Sequence, residues 1–148
     1  MSTSRYPETA DAIRTPERRY QVKRKRILVV EDDRLSLILL RQLLTAQGYE
    51  ILYSSKGWDG INRARNERPN LIVMDINLPD ISGLDATLLL KKDDQTKNIP
   101  IIAVTAFVTP ADKANALSSG CDAYIAKPVN MSNLLGTVET FLSSSSAQ

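Results

Sequence analysis

Short, almost wholly apolar runs alternate with longer amphipathic stretches along most of this chain. The runs Ile27-Leu28-Val29-Val30, Leu71-Ile72-Val73-Met74, Ile99 to Val104 and Tyr124-Ile125-Ala126 are separated by helix-length segments. That pattern predicts parallel strands buried on both faces, because a strand with one wet face alternates polar and apolar residues instead. Between the runs the period becomes helical. After a first strand at Arg26–Val30, Leu35, Ile38, Leu39, Leu43 and Leu44 recur at helical spacing, and Gly48 stands where helices favour a terminating glycine. Glu50–Ser54 reads as a second strand. Gly57–Glu67 reads as a second helix carrying Trp58, Ile61 and Ala64, and Pro69 stops it.

The second half repeats the scheme. Asp80–Gly83 reads as a loop, with Ser82 capping a third helix to about Lys91 and Asp85 favourable in its first turn. Lys92–Asn98 is a charged connector into the fourth strand. Thr109-Pro110 opens a fourth helix, a capping hydroxyl followed by proline at the first helical position, and Gly120 ends it. A fifth strand, Ala123–Ala126, precedes a last helix from Ser132 to about Leu142, which turns Leu134, Leu135, Val138, Phe141 and Leu142 inward. Five βα units without a sixth strand make an α/β fold, a three-layer α/β/α sandwich on a five-stranded parallel sheet. Residues 26–142 form that one domain. Residues 1–25, polar and containing Pro7 and Pro16, read as a basic flexible arm in which Pro16–Val22 offers at most a turn of helix. Residues 143–148 read as a disordered tail.

The chemistry sits at the strand ends. The first run leads into Glu31-Asp32-Asp33, the third strand into Asp75, the fourth into Thr105-Ala106 and the fifth into Lys127-Pro128. In an open α/β sheet, ligands bind just beyond the carboxyl ends of the strands, where strand order reverses. Clustered carboxylates repel one another unless a cation neutralises them. Hard oxygen ligands at this density suit Mg²⁺, which takes one or two carboxylates together with water and phosphate oxygens. A neighbouring ammonium and hydroxyl then point to a phosphoryl group as the missing partner. An ionised aspartate in such a place can attack phosphorus and become an aspartyl-phosphate. Asp75 is the candidate; the plainer alternative is an aspartate that only bonds the backbone of its own loop. Asp33, just beyond the acidic pair, reads as the cap of the first helix.

The segments VVEDD, LIVMDINLPDISG, VTA and YIAKP occur in this order at the spacing of the response-regulator receiver family, the CheY-like domain of two-component signalling. The chain resembles that family from Arg26 to about Leu142. The resemblance implies a flavodoxin-like strand order of 2-1-3-4-5 and phosphorylation at Asp75, with Thr105 and Lys127 on the phosphoryl oxygens. It implies Mg²⁺ held by Asp32 directly, by Glu31 directly or through a water, by Asp75, and by the backbone carbonyl of Asn77. Glu31 stands where Asp is usual, an accepted variant. Thr105 would be the switch hydroxyl. Tyr124 would be an aromatic that swings between exposed and buried, or else simply a half-buried strand residue. Phe107 would flank the phosphoryl opening, and the Lys127-Pro128 bond would be cis.

Within the family, ISGLDATLLLKKDD, AVTAF and GCDAYIAKPV are similar to the DivK type of single-domain regulator; transcription-factor receivers usually carry a second Asp where this chain has Ala123. The implied function is that of a stand-alone receiver in a phosphorelay, not an enzyme. It would take a phosphoryl group from a sensor histidine kinase or a histidine phosphotransferase and change the surface it offers a downstream protein target. A monomer or weak dimer is expected. The alternative within the family is a receiver from a hybrid kinase or a cyclase-linked regulator, against which Met1 and the Ser-rich end read as natural termini.

Composition narrows the other classes. Met1–Arg26 holds eight Lys/Arg against three Asp/Glu, and Ile27–Gln148 eleven against fourteen, so a near-neutral total hides a basic arm on an acidic domain. Lys23-Arg24-Lys25-Arg26 reads as a solvated flank, which argues against direct nucleic-acid binding. The chain has no histidine, so its phosphodonor must be another protein. A phosphohydrolase of the haloacid-dehalogenase type needs a second acid two residues past its nucleophile, and position 77 is Asn. A nucleotide-binding domain needs a Gly-rich loop where this chain has acids. The lone Cys121, the absence of a long apolar stretch and the polar N-terminus predict a cytoplasmic protein without a membrane span.

Overall fold

A computed structural model describes residues 23–106 and 109–146, with side chains as far as Ser143. The apolar runs form β1 (Arg26–Val30), β2 (Glu50–Ser54), β3 (Leu71–Asp75), β4 (Ile101–Thr105) and β5 (Ala123–Ala126). The segments between and after them form α1 (Arg34–Ala46), α2 (Gly57–Glu67), α3 (Gly83–Lys92), α4 (Pro110–Ser118) and α5 (Met131–Ser146). All strand pairs are parallel, in the order β2-β1-β3-β4-β5.

Successive strand residues point to opposite faces, so the unbroken apolar runs feed two cores. Leu28, Val30, Ile72, Met74, Ile101 and Ala103 pack against Ile61 and Ala64 of α2, Ala86 and Leu90 of α3, and Ala116 of α4. Their neighbours Ile27, Val29, Leu71, Val73, Ile102, Val104 and Ile125 pack against Leu40 and Leu44 of α1 and Leu134, Val138 and Leu142 of α5. Helices on both faces leave no exposed side on the central strands β1, β3 and β4. That is why these strands read as continuous hydrophobic runs.

Local signals set the helix starts. Asp33 accepts from the Ser36 amide at 2.9 Å, Ser82 accepts from the Leu84 amide, and Thr109 and Asp112 form a reciprocal capping box on α4. Gly48 and Gly120 follow α1 and α4 with φ of 94° and 101°, a region glycine enters without steric cost.

Four boundaries and faces differ from the sequence expectation. On α1 the inward residues are Leu40 and Leu44, while Leu35, Ile38 and Leu39 are exposed: seven Leu and Ile residues crowd this helix, and spacing alone does not say which stripe faces the sheet. Trp58 on α2 is 52% exposed, because the glycines and Ile61 of that helix take the inward positions. Strand β4 begins at Ile101, not Ile99, since Pro100 has no amide to give the ladder. Helix α5 runs to Ser146, past the predicted stop near Leu142 and into the segment read as a tail, because no Gly or Pro follows to break it. The arm through Val22, Phe107 and the last two residues lie outside the described residues.

Candidate functional site

Strand order reverses between β1 and β3: the chain leaves β1 for β2 on one side, and β3 pairs on the other. The crevice at their carboxyl ends is where the predicted residues meet. Glu31, Asp32 and Asp75 each offer a carboxylate oxygen to one cluster in which these atoms lie within 4.8 Å of one another. Glu31 and Asp75 are buried, and Asp32 is exposed at the rim. Lys127 reaches across from the end of β5, placing its Nζ 2.8 Å from Glu31 Oε1 and 3.4 Å from Asp75 Oδ2.

The backbone holds this geometry. The amide of Lys127 donates to the Thr105 carbonyl at 2.8 Å, which ties the end of β5 to that of β4. The Lys127-Pro128 peptide is cis, as the resemblance implied. The Glu31 amide donates to the Ser54 carbonyl at 2.9 Å, and the Glu31 carboxylate accepts from the Asp33 amide. Asp75 Oδ1 accepts from the Asn77 amide at 3.1 Å, fixing the start of the β3–α3 loop, and Gly83 closes that loop by donating to the Ile76 carbonyl. A Cβ at Gly83 would run into the Asp75 carbonyl oxygen, so only glycine fits this close approach.

Burial and charge together set the protonation balance. Glu31 is pushed up to about 7, first by removal from water and then by its hydrogen bond to Asp75; Lys127 opposes the shift without cancelling it. Lys127 itself is raised: burial works against its charge, but Glu31 and Asp75 together outweigh that. The two directions are consistent, since one ammonium shared by two carboxylates cannot fully neutralise both. Three hard oxygen donors in one cluster fit Mg²⁺ better than a soft metal.

Thr105 ends β4 fully buried. Tyr124 lies on β5 opposite Ala103 in the β4–β5 register, partly buried against the core beneath α2, α3 and α4. Ala103 and Thr105 point to that same face, so the hydroxyl and the aromatic ring share one side of the sheet. Beside Lys127 a cavity of about 220 Å³ opens between α1 and the β5–α5 loop, lined by Glu31, Leu39, Leu40, Lys127, Val129 and Met131.

Sequence reasoning missed Asp80, read only as part of a loop. Its carboxylate accepts from the amides of Gly57 at 2.8 Å and Trp58 at 3.0 Å, capping α2 from another part of the chain. A signal existed: Lys56, in the N-cap position of α2, has no oxygen with which to cap it, and makes no such bond.

A family model described as the response regulator receiver domain matches residues 27–139 of the chain. The chain belongs to the response-regulator receiver family. It is 42% identical over 118 residues to the polar-differentiation response regulator DivK of Brucella anthropi, spanning 80% of this chain and 96% of that protein. Its identity to DivK of Brucella ovis is 41% over the same length. Among solved structures, a response regulator receiver domain protein (CheY-like) from Methanospirillum hungatei superposes with a TM-score of 0.77 at 32% identity, covering 85% of this chain and all 100% of that one. The receiver domain of a sensor histidine kinase from Pseudomonas aeruginosa, solved with a magnesium ion coordinated in its active-site cleft, superposes with a TM-score of 0.77 at 28% identity, covering 82% of this chain and 99% of that one. This receiver therefore has the CheY-like fold and is a DivK-like response regulator of two-component signalling. Among the described residues, no helix is long and apolar enough to cross a membrane.

Proposed function

We propose that this receiver accepts a phosphoryl group on Asp75 from the phosphohistidine of a histidine kinase or histidine phosphotransferase, and thereby changes the surface it offers a downstream protein. The observation that carries this reading is the convergence of Glu31, Asp32 and Asp75 with Lys127 at the carboxyl ends of β1, β3 and β5. An Asp75 oxygen attacks phosphorus, an O–P bond forms, and the P–N bond to the donor imidazole breaks, leaving that ring to take up a proton. Asp32, Glu31, Asp75 and the backbone carbonyl of Asn77 would hold Mg²⁺. When bound, the ion supplies positive charge against the phosphoryl oxygens and relieves repulsion among the acids. Lys127, held protonated by its two carboxylate neighbours, pairs with a phosphoryl oxygen once Asp75 is phosphorylated. Thr105 donates its hydroxyl to another. Inward rotation of Thr105 opens room on the face it shares with Tyr124, and the ring follows, remodelling the surface of α4, β5 and α5.

The similarity to DivK proteins, matched over 96% of their length, supports the DivK-like role; the acidic cluster and the magnesium ion in the cleft of the Pseudomonas relative support the metal-assisted chemistry. The test is a phosphotransfer profile, in which the purified protein is mixed with each autophosphorylated histidine kinase of its host. Rapid transfer from one or a few kinases is expected. Failure with every kinase and with small phosphodonors would remove the reading.

A further inference from the structure

Asp80 is exposed and lies outside the acidic cluster, yet it joins two loops that border the site. One is the β2–α2 turn, whose Ser54 carbonyl accepts from the Glu31 amide and whose Ser54 hydroxyl donates to Asp59 at 2.6 Å. The other is the β3–α3 loop, which starts at Asp75 and carries Asn77. The Asp80 carboxylate spans them by accepting from both Gly57 and Trp58. Packing reinforces the clamp: a Cβ at Gly57 would collide with Ile81 Cγ2 and stand 3.3 Å from Leu78 Cδ1, so α2 seats directly on this loop. The two amides hold the Asp80 carboxyl below its ordinary range, in keeping with an ionised acceptor facing the positive end of a helix.

We propose that Asp80 is a positioning residue for the metal: by fastening the β3–α3 loop to the N-terminus of α2, it fixes the Asn77 carbonyl where Mg²⁺ needs it. The inference rests on the Mg²⁺ reading above. The loop is pinned at one end by the Asn77 amide on Asp75 and at the other by Gly83 on Ile76. Between these points, among the described residues, the Asp80 bonds are the hydrogen bonds that tie it to a neighbouring helix. Mg²⁺ demands near-ideal octahedral geometry, so a backbone ligand that drifts loses much of its value. Groups outside the ligand set commonly change metal affinity about tenfold or more when removed.

The experiment must separate positioning from ordinary helix capping. Mg²⁺ is titrated into the full chain and followed by the backbone amide shifts of Asp75 and Asn77, with melting temperature measured in parallel. Asp80→Ala is expected to weaken Mg²⁺ binding about tenfold and to lower the melting temperature by a few degrees. Asp80→Asn, which keeps one acceptor oxygen, should fall between, and it serves should the alanine variant fold poorly. The deciding variant is Asp80→Ala with Lys56→Ser, which gives α2 its own capping hydroxyl. It should recover the melting temperature while leaving Mg²⁺ binding weak. Recovery of both, or unchanged Mg²⁺ affinity in Asp80→Ala while Asp32→Ala loses binding, would overturn the positioning role alone. No Mg²⁺ response in the wild type would overturn it together with the metal reading.

Discussion

Lys127 gives its shorter bond, 2.8 Å, to Glu31 and not to Asp75, which stands 3.4 Å away. The lysine thus rests mainly on a carboxylate that is not the proposed acceptor. Asp75 is left with the longer contact to the lysine on Oδ2, while its Oδ1 accepts from the Asn77 amide. Once a phosphoryl group sits on Asp75, its oxygens offer Lys127 a stronger partner than Glu31 does, because they carry more charge.

The raised Glu31 should make stability, and any Mg²⁺ binding at this cluster, depend on pH. Glu31 is raised from about 4.5 unfolded to about 7 folded, so between these values the folded chain holds a proton that the unfolded chain has lost. Stability from this site is therefore greatest below pH 4.5 and falls as pH rises through 7. The proton also competes with Mg²⁺, so metal affinity should increase over the same window. Thermal unfolding in chelator, and Mg²⁺ titration, at pH 5.5, 6.5 and 7.5 measure both. Glu31→Gln should flatten the two trends; unchanged trends in that variant would assign them to another group.

Metal binding should appear as stabilisation. At ten times its Kd, a ligand that binds only the folded state adds about 1.4 kcal/mol, which for a domain of this size raises Tm by roughly 3–6 °C. Asp32→Ala removes a ligand and one source of repulsion, so without metal it should melt at or above the wild type. With Mg²⁺ it should gain little. A wild-type-sized Mg²⁺ shift in Asp32→Ala would rule out the direct role of Asp32.

The output surface is tested through Thr105. A phosphoryl group moves a two-state equilibrium only by binding one state better, and in the proposed mechanism the Thr105 hydroxyl supplies that preference. Thr105→Ala should still accept phosphoryl, since Asp75, the acidic cluster and Lys127 remain. It should show little phosphorylation-dependent chemical-shift change at Tyr124 and along Ala111–Ser118. Wild-type-sized changes there would refute the coupling. Changes confined to α1 would move the output away from α4 to the sheet face that α1 shares with α5.

Much of this architecture was legible because both sheet faces are covered. Burial on both sides makes β1, β3 and β4 continuous apolar runs, and a polar residue then marks each carboxyl end. Glu31, Asp75, Thr105 and Lys127 stood out for that reason. Orientation on the helices was less legible. Leu35, Ile38 and Leu39 are as apolar as Leu40 and Leu44, and only the packed sheet decides which of them it covers. On α2 likewise, Trp58 stays exposed while Ile61 and Ala64 enter the core. Asp80 was hidden for a different reason: its partners Gly57 and Trp58 lie 23 and 22 residues away, beyond any local capping pattern.

The central claim is that Asp75 is the phosphoryl acceptor, and site-resolved labelling tests it most directly. The protein is incubated with a small phosphodonor and Mg²⁺, and intact mass and peptide mapping are compared for the wild type and Asp75→Asn. One acid-labile phosphoryl group per chain is expected on the wild type, mapped to Asp75, and none on the variant, whose amide lacks the nucleophilic anion. Equal labelling of Asp75→Asn, or wild-type label mapped to another residue, would contradict the account.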